Sequence, residues 1–341
     1  MDRLEDRLFS GYGGQDWPVD NFNVRGDRTG FVAWVEYYLL RGVQRFLLWS
    51  PAPVRRMCTG GLARLAYLFD KRHTESARKF IKVAFPDLSA DEIEARVLGA
   101  WKHALRLLTE VEGVSRLLGK PIGDHYKLDL CADAREVLDS GQGCLIVTGH
   151  VGHWEASGVL SSLGFRPFYG VGKPPRNAPL GDHIQRMREG QGLRMLSRKG
   201  AMKGIPAVLR AGGAVAMLLD QRARVKPVVA PFFGRPAFCD RTIGVLARRL
   251  DVPVLFFAVY MTPEPFQYEL VMPRVLQPAD FVGLKPEQVA ARINSELEEL
   301  ILAHPEQYFW LHDRYAGAPD TTDNESSEVS HSTPEARGAK M

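Results

Sequence analysis

Two histidines, a tryptophan and a glutamate lie within six positions of the sequence, in the stretch HVGHWE at positions 150–155. The stretch follows a short apolar run, 144–148, that predicts a strand, and it leads into residues 154–163, which predict a helix. Three interpretations of it are open: a general-base site, a metal site, or the polar start of a helix that carries no chemistry.

The first interpretation makes His150 a general base. His150 would lie on the loop at the carboxyl end of the strand, where α/β sheets usually place reactive groups. Glu155, in the first turn of the helix, would accept a hydrogen bond from one imidazole nitrogen, and the helix dipole favours its negative charge there. The other nitrogen could then take a proton near neutral pH.

The second interpretation makes His150, His153 and Glu155 the ligands of a metal-dependent hydrolase that activates water. Such a site needs a further ligand, and His183 and Asp220 are available outside any ligand-rich motif. In the third interpretation the same residues are a polar helix start with a surface histidine.

The overall composition is that of a globular protein. The chain has 341 residues, of which 45% are hydrophobic and 25% charged. Its four cysteines lack a metal-ligand spacing, which indicates a reducing compartment without disulfides, and no signal peptide is expected. The net charge of +4 combines a tail from residue 317 that carries −3 with a body that carries +7. A basic body suits an anionic membrane or an acidic carrier protein, and no recognisable module supports nucleic-acid binding.

The chain divides into four regions. Residues 1–28 are polar, 29–124 have helical patterns, 125–315 alternate strands with helices, and 316–341 form a polar tail predicted to be disordered. The alternation predicts an α/β fold, a mixed central sheet flanked by helices, which forms one domain with the helices before it.

The pattern predicts individual elements in each region. The strand candidates are 144–148, 214–219, 253–260 and 268–272, and the helix candidates are 31–49, 76–85, 89–118, 154–163, 180–190, 201–211, 242–250 and 286–303. Helix 31–49 is aromatic and leucine-rich but carries Glu36, Arg41 and Arg45, which predicts a helix in the membrane interface rather than across the membrane. The alternative is an amphipathic helix packed on the protein's own core.

Two further segments accompany HVGHWE along the chain. One is LLDQR (218–222) followed by APFFGRPA (230–237), and the other is PEQYFWLHDR (305–314). In order and spacing the three resemble the signature segments of the bacterial lipid A biosynthesis acyltransferase family, the late lauroyl and myristoyl transferases. That family belongs to a wider group of glycerolipid acyltransferases with an H-x4-D/E motif. The resemblance covers about residues 30–315 and includes RKFIKVAFPDLS (78–89) and SRKG (197–200).

The resemblance implies an O-acyltransferase on the cytoplasmic face of the inner membrane. It would move a fatty acyl chain from acyl carrier protein, or from coenzyme A, to a hydroxyl of a lipid A precursor or related saccharolipid. His150 would deprotonate the hydroxyl and Glu155 would orient His150, with no metal or other cofactor. The implied partners are acyl carrier protein, anionic membrane lipids and the glycolipid acceptor.

Another glycolipid, such as a phosphatidylinositol mannoside, is the alternative acceptor. Outside this class, a metal-dependent hydrolase and a non-catalytic lipid-binding protein are the alternatives.

Six residues are predicted to bind substrate, four of them because of the resemblance and two because of their bulky apolar side chains. They are Lys173, Arg198, Asp220, Gln221, Phe232 and Phe233. The two cations would stabilise the oxyanion, the polar pair would line the catalytic face, and the two phenylalanines would form a wall for the acyl chain. The alternatives are solvated charges, a plain turn and core packing, respectively. Residues 308–314 are predicted to close the site as a structural wall, and the cations between 186 and 203 suit an acidic carrier or lipid phosphates.

The sequence departs from the family's usual pattern at three positions. His153 replaces the usual asparagine before tryptophan, Asp313 replaces the first arginine of a His-Arg-Arg sequence, and Cys239 stands where relatives tend to carry threonine. The N-terminal helix is also more charged than the family's membrane anchor, which predicts peripheral attachment or one weak anchor. These departures bear on the acceptor rather than on the type of reaction.

Overall fold

The computed structural model of the chain describes residues 17–19, 26–117, 120–165, 167–198 and 201–319. Residues 320–341 of the predicted disordered tail, and most of the N-terminal polar segment, lie outside the described residues. The helices are α1 (Phe31–Trp49), α2 (Ala52–Phe69), α3 (Lys71–Ala84), α4 (Ala90–Val114), α5 (Ala132–Ser140), α6 (Val159–Leu163), α7 (Ala178–Gly190), α8 (Ala201–Arg210), α9 (Thr242–Leu250) and α10 (Pro286–Ala303). The strands are β1 (Tyr126–Leu130), β2 (Cys144–Thr148), β3 (Phe168–Gly172), β4 (Leu193–Ser197), β5 (Ala214–Leu218), β6 (Val228–Phe232), β7 (Arg235–Cys239), β8 (Val254–Met261) and β9 (Tyr268–Leu276).

Helix α4 is the element on which the N-terminal helices assemble, since α1, α2 and α3 all pack against it. It begins at the predicted capping box, in which the Glu92 N–H donates to the Ser89 hydroxyl and the Ser89 N–H donates to the Glu92 carboxylate. This reciprocal pairing satisfies two backbone groups that a helix start leaves without partners. Helix α1 covers the predicted range.

Large apolar side chains are exposed along α1 and α2. On α1 they are Phe31, Val32, Trp34, Val35, Tyr38, Leu39, Val43, Phe46 and Trp49, and on α2 they are Met57, Leu62, Leu65, Leu68 and Phe69. Soluble monomers seldom expose apolar side chains in such a concentration. Within the described ranges, the helices lack the length and apolar content needed to cross a bilayer. The membrane-facing role of this section therefore stays a prediction.

A seven-stranded sheet in the order β1-β9-β8-β2-β5-β3-β4 forms the centre of the fold. Strands β8, β2, β5, β3 and β4 run parallel, β9 pairs antiparallel with β8, and β1 pairs parallel with β9. Strands β6 and β7 form a separate hairpin, against which α10 packs. The predicted mixed α/β architecture with helices around a central sheet is confirmed.

The sheet is buried on both faces because helices cover each side. Leu145 and Val147 of β2 join the core formed with α3, α4, α8, α9 and α10, whereas Cys144 and Ile146 join the core formed with α5 and α6. Every residue of β2 is buried. A strand enclosed in this way has a continuous apolar sequence, which is why residues 144–148 were predicted with the observed bounds.

Apart from α2, an 18-residue helix inside the region of helical patterns, the elements without a predicted counterpart are short. Strands β1, β3 and β4, the β6–β7 hairpin and helix α5 contain five to nine residues each. Strand β3 reads Phe-Tyr-Gly-Val-Gly, and glycine is depleted in strands. The predicted helix 154–163 is divided, because a 3-10 turn, Trp154–Gly158, precedes α6.

Candidate active site

The carboxyl ends of β2 and β5 bring together two side chains that are 70 residues apart in sequence. The strands are parallel neighbours with Thr148 opposite Leu218. His150 and Asp220 each follow two residues later, and the Leu219 N–H donates to the Thr148 carbonyl at 3.0 Å. The register of the two strands therefore continues past their ends and places His150 beside Asp220.

Asp220 engages His150 through both carboxylate oxygens. The His150 backbone N–H donates to Oδ2 at 2.9 Å, and the ring Nδ1 lies 2.9 Å from Oδ1. Nδ1 therefore carries the hydrogen, since a carboxylate can only accept, and Nε2 keeps its lone pair. The Gln221 Nε2 lies 3.3 Å from that nitrogen, and the imidazole is 21% exposed. The arrangement leaves one basic nitrogen accessible.

Asp220 is ionised although its side chain is fully buried. Burial would raise the pKa of Asp220, but the charge of His150, the hydrogen bonds from His150 and the charge of His312 hold that pKa well below its usual range. An ionised carboxylate at Nδ1 stabilises the positive charge that the imidazole gains when it takes a proton.

Two glycines permit the close packing of this loop. A Cβ at Gly149 would lie 3.3 Å from the Cβ and Cγ of Asp220. Gly152 has a left-handed φ of 59°, and a Cβ there would meet the Val259 carbonyl oxygen at 2.0 Å. Only glycine combines that backbone conformation with that contact.

The segment 308–314, predicted to be a structural wall, contacts this loop from the other side. The Phe309 N–H donates to the His150 carbonyl at 2.9 Å. His312 Nε2 lies 3.3 Å from the Asp220 carbonyl oxygen, and its Nδ1 lies 2.8 Å from the Phe309 carbonyl oxygen. The wall thus hydrogen-bonds to the main chain of His150 and places the His312 ring beside the main chain of Asp220.

Aromatic rings also surround the imidazole. The ring centroids of Trp154 and Phe309 lie 5.0 and 6.2 Å from that of His150. Neither ring was predicted from the sequence to lie beside the histidine. Trp154 could have been suspected from its place in HVGHWE, whereas the position of Phe309 depends on how the distant wall segment packs.

Glu155 does not make the expected hydrogen bond to His150. Both of its oxygens accept from Arg188 of α7, from Nε at 2.9 Å and from Nη2 at 2.5 Å. Burial would raise the pKa of Glu155, but the charge and hydrogen bonds of Arg188 lower it. This corrects the prediction that Glu155 is the imidazole's hydrogen-bond partner: the turn 154–158 directs its carboxylate to α7, and Asp220 takes that place.

His153 differs from His150 although it lies only three positions away. It is fully buried, its ring contacts Tyr268, and within the described part of the chain neither ring nitrogen has a hydrogen-bond partner. The burial lowers its pKa to about 4. Of the residues described, no three or more His, Cys, Asp or Glu side chains are grouped to hold a metal ion, so the ligand set of the metal interpretation is not assembled.

Lys173 and Arg198 lie at the same sheet edge as His150. Each follows directly after a strand, β3 and β4 respectively, and both side chains are exposed. With strands about 4.8 Å apart, their main chain lies roughly 10 and 14 Å from β2 along the sheet. The fold brings the nominated cations to the sheet edge that carries His150, and their role in oxyanion binding stays a prediction.

The two nominated phenylalanines have different environments. Phe232 is fully buried, with its ring 6.1 Å from that of Phe80 and the Arg314 guanidinium 4.8 Å away. Alternate residues of β6 point into the core, which corrects the prediction that Phe232 forms an accessible wall for an acyl chain. Phe233 is partly buried and its N–H donates to Glu298, and its predicted role is not tested.

The cations predicted to bind a carrier between residues 186 and 203 are partly engaged elsewhere. Arg188 pairs with Glu155, and the Arg194 guanidinium lies 3.9 Å from the centre of the Trp17 ring. Lys199 lies outside the described residues. This stretch therefore offers fewer free cations than its sequence indicates.

Comparisons with known proteins agree with these findings. The model of the bacterial lipid A biosynthesis acyltransferase family matches residues 28–316. The chain is 27% identical to a lipid A biosynthesis lauroyltransferase of Escherichia coli (strain K12) over 292 residues, which is 82% of this chain and 90% of that protein. It is 25% identical to the lipid A biosynthesis palmitoleoyltransferase of the same organism, covering 84% of this chain and 92% of that protein. It is 26% identical to a lipid A biosynthesis acyltransferase of Haemophilus influenzae, covering 83% and 91%.

Proposed function

We propose, from the premise that the chain belongs to the bacterial lipid A biosynthesis acyltransferase family, that it transfers a fatty acyl chain from acyl carrier protein to a hydroxyl of a lipid A precursor or related saccharolipid. The observation that carries the proposal is the buried, ionised Asp220 bonded to a histidine whose second nitrogen is accessible. Coenzyme A is the alternative donor, and a phosphatidylinositol mannoside the alternative acceptor.

His150 is the general base of the proposed reaction. Its Nε2 takes the proton of the acceptor hydroxyl while the hydroxyl oxygen attacks the thioester carbonyl. The tetrahedral intermediate then expels the thiolate, which receives the proton from the imidazolium. Asp220 keeps Nδ1 protonated and stabilises the imidazolium, so the hydroxyl attacks the donor directly without an acyl-enzyme.

The oxyanion of the tetrahedral intermediate needs hydrogen-bond donors. The Gln221 amide is the nearest candidate, because its Nε2 lies 3.3 Å from the basic nitrogen. Lys173 and Arg198 follow at the ends of the neighbouring strands. Donors of this type typically contribute about 10²- to 10³-fold to the rate.

Glu155 acts as a positioning residue in this proposal. Its ion pair with Arg188 ties the turn after the His150 loop to α7, and the pair is mostly buried. Since a guanidinium stays charged, the pair has no proton to give or take at neutral pH. Its expected contribution is to the shape of the site.

The acceptor is a membrane lipid in this proposal, so the enzyme must reach a bilayer. Helices α1 and α2 expose the apolar side chains described above, together with the cations Arg45, Arg56 and Arg64. Apolar side chains beside cations suit the interface of an anionic membrane. We therefore place the enzyme peripherally on the cytoplasmic face of the inner membrane, with α1 and α2 in contact with lipid.

The test is a mass-spectrometric assay with purified full-length protein. Acyl carrier protein thioesters and coenzyme A thioesters are offered with a lipid A precursor or a phosphatidylinositol mannoside, with and without chelator. We expect one acyl mass increment on the lipid A precursor that resists chelator and is absent in His150→Ala. Loss of activity in chelator would favour a metal-dependent hydrolase, and lipid binding without turnover would favour a non-catalytic protein.

A further inference from the structure

The loop of residues 221–227 begins beside the basic nitrogen of His150. It connects β5 to the β6–β7 hairpin, and its first residue, Gln221, lies 3.3 Å from His150 Nε2. The mechanism uses Gln221, but it assigns nothing to the rest of the loop.

The second half of this loop projects from the body of the protein. The Ala223 N–H donates to the Phe238 carbonyl at 3.1 Å, which anchors the first half. Residues 224–227 that follow are all exposed, before the chain pairs again at Val228 in the hairpin. Val225 is 79% exposed.

The projecting residues carry positive charge that the protein does not neutralise. Arg224 and Lys226 flank Val225, and among the contacts of the described residues neither makes a hydrogen bond or an ion pair. The sequence contains no acidic residue from Gln221 to Cys239. An apolar side chain between two unpaired cations fits an acidic protein surface with a small apolar contact at its centre.

The loop suits a protein better than a bilayer. Helices α1 and α2 already provide a surface suited to contact with lipid, because they expose many large apolar side chains. The loop exposes a single valine. Membrane binding by a peripheral element scales with the apolar area that it buries. One valine offers little such area.

We propose that loop 221–227 is the docking surface for the acidic carrier protein that presents the acyl thioester. This inference rests on the proposed function and specifies where its donor binds. Arg224 is three residues from Gln221 and Lys226 is five, so their Cα atoms lie at most about 11 and 18 Å away from that of Gln221. A carrier seated on the loop therefore delivers its thioester to His150 over a short distance.

The decisive variant is the double charge reversal Arg224→Glu/Lys226→Glu. Its matched control is Arg210→Glu/Arg249→Glu, which makes the same change in net charge. Both control residues are exposed, and they lie at or near the ends of α8 and α9, at the opposite edge of the sheet. Each protein is measured with acyl carrier protein thioester, with coenzyme A thioester and with acyl-pantetheine, a donor of the same chemistry without the carrier. Binding of carrier protein alone is measured separately, so that the result does not depend on turnover.

We expect the loop variant to weaken carrier binding and to raise KM for the carrier thioester by about tenfold or more, with an effect that shrinks at high salt. Activity with acyl-pantetheine should stay within about twofold of wild type, and the control variant should behave as wild type. Equal carrier binding by the wild type and the loop variant would overturn the proposal, as would failure of the wild type to bind carrier.

Other outcomes separate this proposal from the proposed function. An equal loss with acyl-pantetheine would show that the loop shapes the active site and would overturn docking. A loss confined to coenzyme A thioesters would assign the cations to the phosphates of a small donor. Carrier binding that depends on the loop, without acyl transfer to any acceptor, would retain the docking surface and reject the acyltransferase.

Discussion

Two carboxylates with little solvent exposure lie at the HVGHWE stretch, Asp220 beside it and Glu155 within it, and they differ in the partner that each one binds. Asp220 accepts hydrogen bonds from the main chain and ring of His150, and Glu155 accepts two from Arg188. Burial would raise the pKa of both carboxyl groups, and in both cases the electrostatic and hydrogen-bond interactions with the partner more than compensate for it.

The difference lies in whether the partner can exchange a proton. Histidine can gain and lose a proton near neutral pH. The imidazole of the Asp220–His150 pair can therefore be neutral before it takes the substrate proton and positively charged afterwards. Arginine stays protonated, so the Glu155–Arg188 pair keeps one electrostatic state throughout. We therefore expect changes to the first pair to alter the rate, and changes to the second to alter stability and shape first.

The largest effect is expected from His150→Ala. Removing the base should reduce acyl transfer by about 10²- to 10⁴-fold in kcat/KM, as for other general bases. The imidazole is partly exposed, so the fold should persist, and circular dichroism with urea unfolding checks this. Activity within tenfold of wild type would mean that another group takes the proton.

Asp220→Asn should have the next largest effect, with a loss of about 10²-fold or more. The carboxylate of Asp220 accepts hydrogen bonds from two donors, the His150 backbone N–H and the ring Nδ1–H. Asparagine has one accepting oxygen, and its other terminal group is a donating NH2. If the amide NH2 group faces the ring, it donates to Nδ1 and the ring hydrogen moves to Nε2. If the NH2 group faces the His150 backbone N–H instead, two donors oppose each other. Wild-type kcat/KM in a folded Asp220→Asn protein would contradict the assigned role.

Glu155→Gln should act on stability. Breaking this mostly buried ion pair leaves Arg188 without its counter-charge and should cost at most about 3 to 5 kcal/mol in the free energy of unfolding, measured with urea. The double variant Glu155→Gln/Arg188→Gln should recover much of that loss, because no buried charge is left alone.

The same double variant tests the comparison between the two pairs. Recovery of both stability and acyl transfer is the expected result for a positioning pair. Recovery of stability without acyl transfer would show that the charge of Glu155 takes part in the reaction, and the two carboxylates would then share the catalytic role.

The smallest effect is expected from His153→Asn, which removes a histidine that binds neither carboxylate. Burial lowers the pKa of His153 to about 4, so the folded state disfavours its protonation and the unfolded state does not. Stability should therefore decrease as pH falls from about 6.5 to about 4, by at most about 1.4 kcal/mol per pH unit for this group.

Urea unfolding between pH 4 and 7 measures that slope in both proteins. The variant should show a shallower decrease, with activity at pH 7 close to wild type. The neighbouring His103, whose pKa burial lowers to about 3, should account for part of the slope that remains. Identical slopes in the two proteins would contradict the assignment to His153.

Local sequence signals were sufficient for much of the fold. The capping box at Ser89, the continuous apolar run of β2 and the periodicity of α9 and α10 each predicted an element near its observed bounds. Such signals depend on residues within a few positions of one another. They were insufficient for β1, β3 and β4, whose sequences are interrupted by charged residues or glycines, whereas β2, a strand of the same length, is continuously apolar.

The candidate site shows the same limit. His150 was nominated from its own neighbourhood, because a histidine after a buried strand lies at the reactive edge of an α/β sheet. Its partner was assigned to Glu155, five positions away, since a single stretch offers only local carboxylates. Asp220 was nominated as a lining residue, without a link to the imidazole.

The sequence by itself thus determined that this protein has an α/β sheet, that a histidine follows the apolar strand 144–148, and that its motifs are those of an acyltransferase family. Only the tertiary structure decided which carboxylate meets the histidine. That choice depends on the pairing of β2 with β5, which places Thr148 opposite Leu218 and so brings His150 to Asp220. Strand pairing is a contact between segments far apart in the chain, and the free energy of packing the whole sheet selects it.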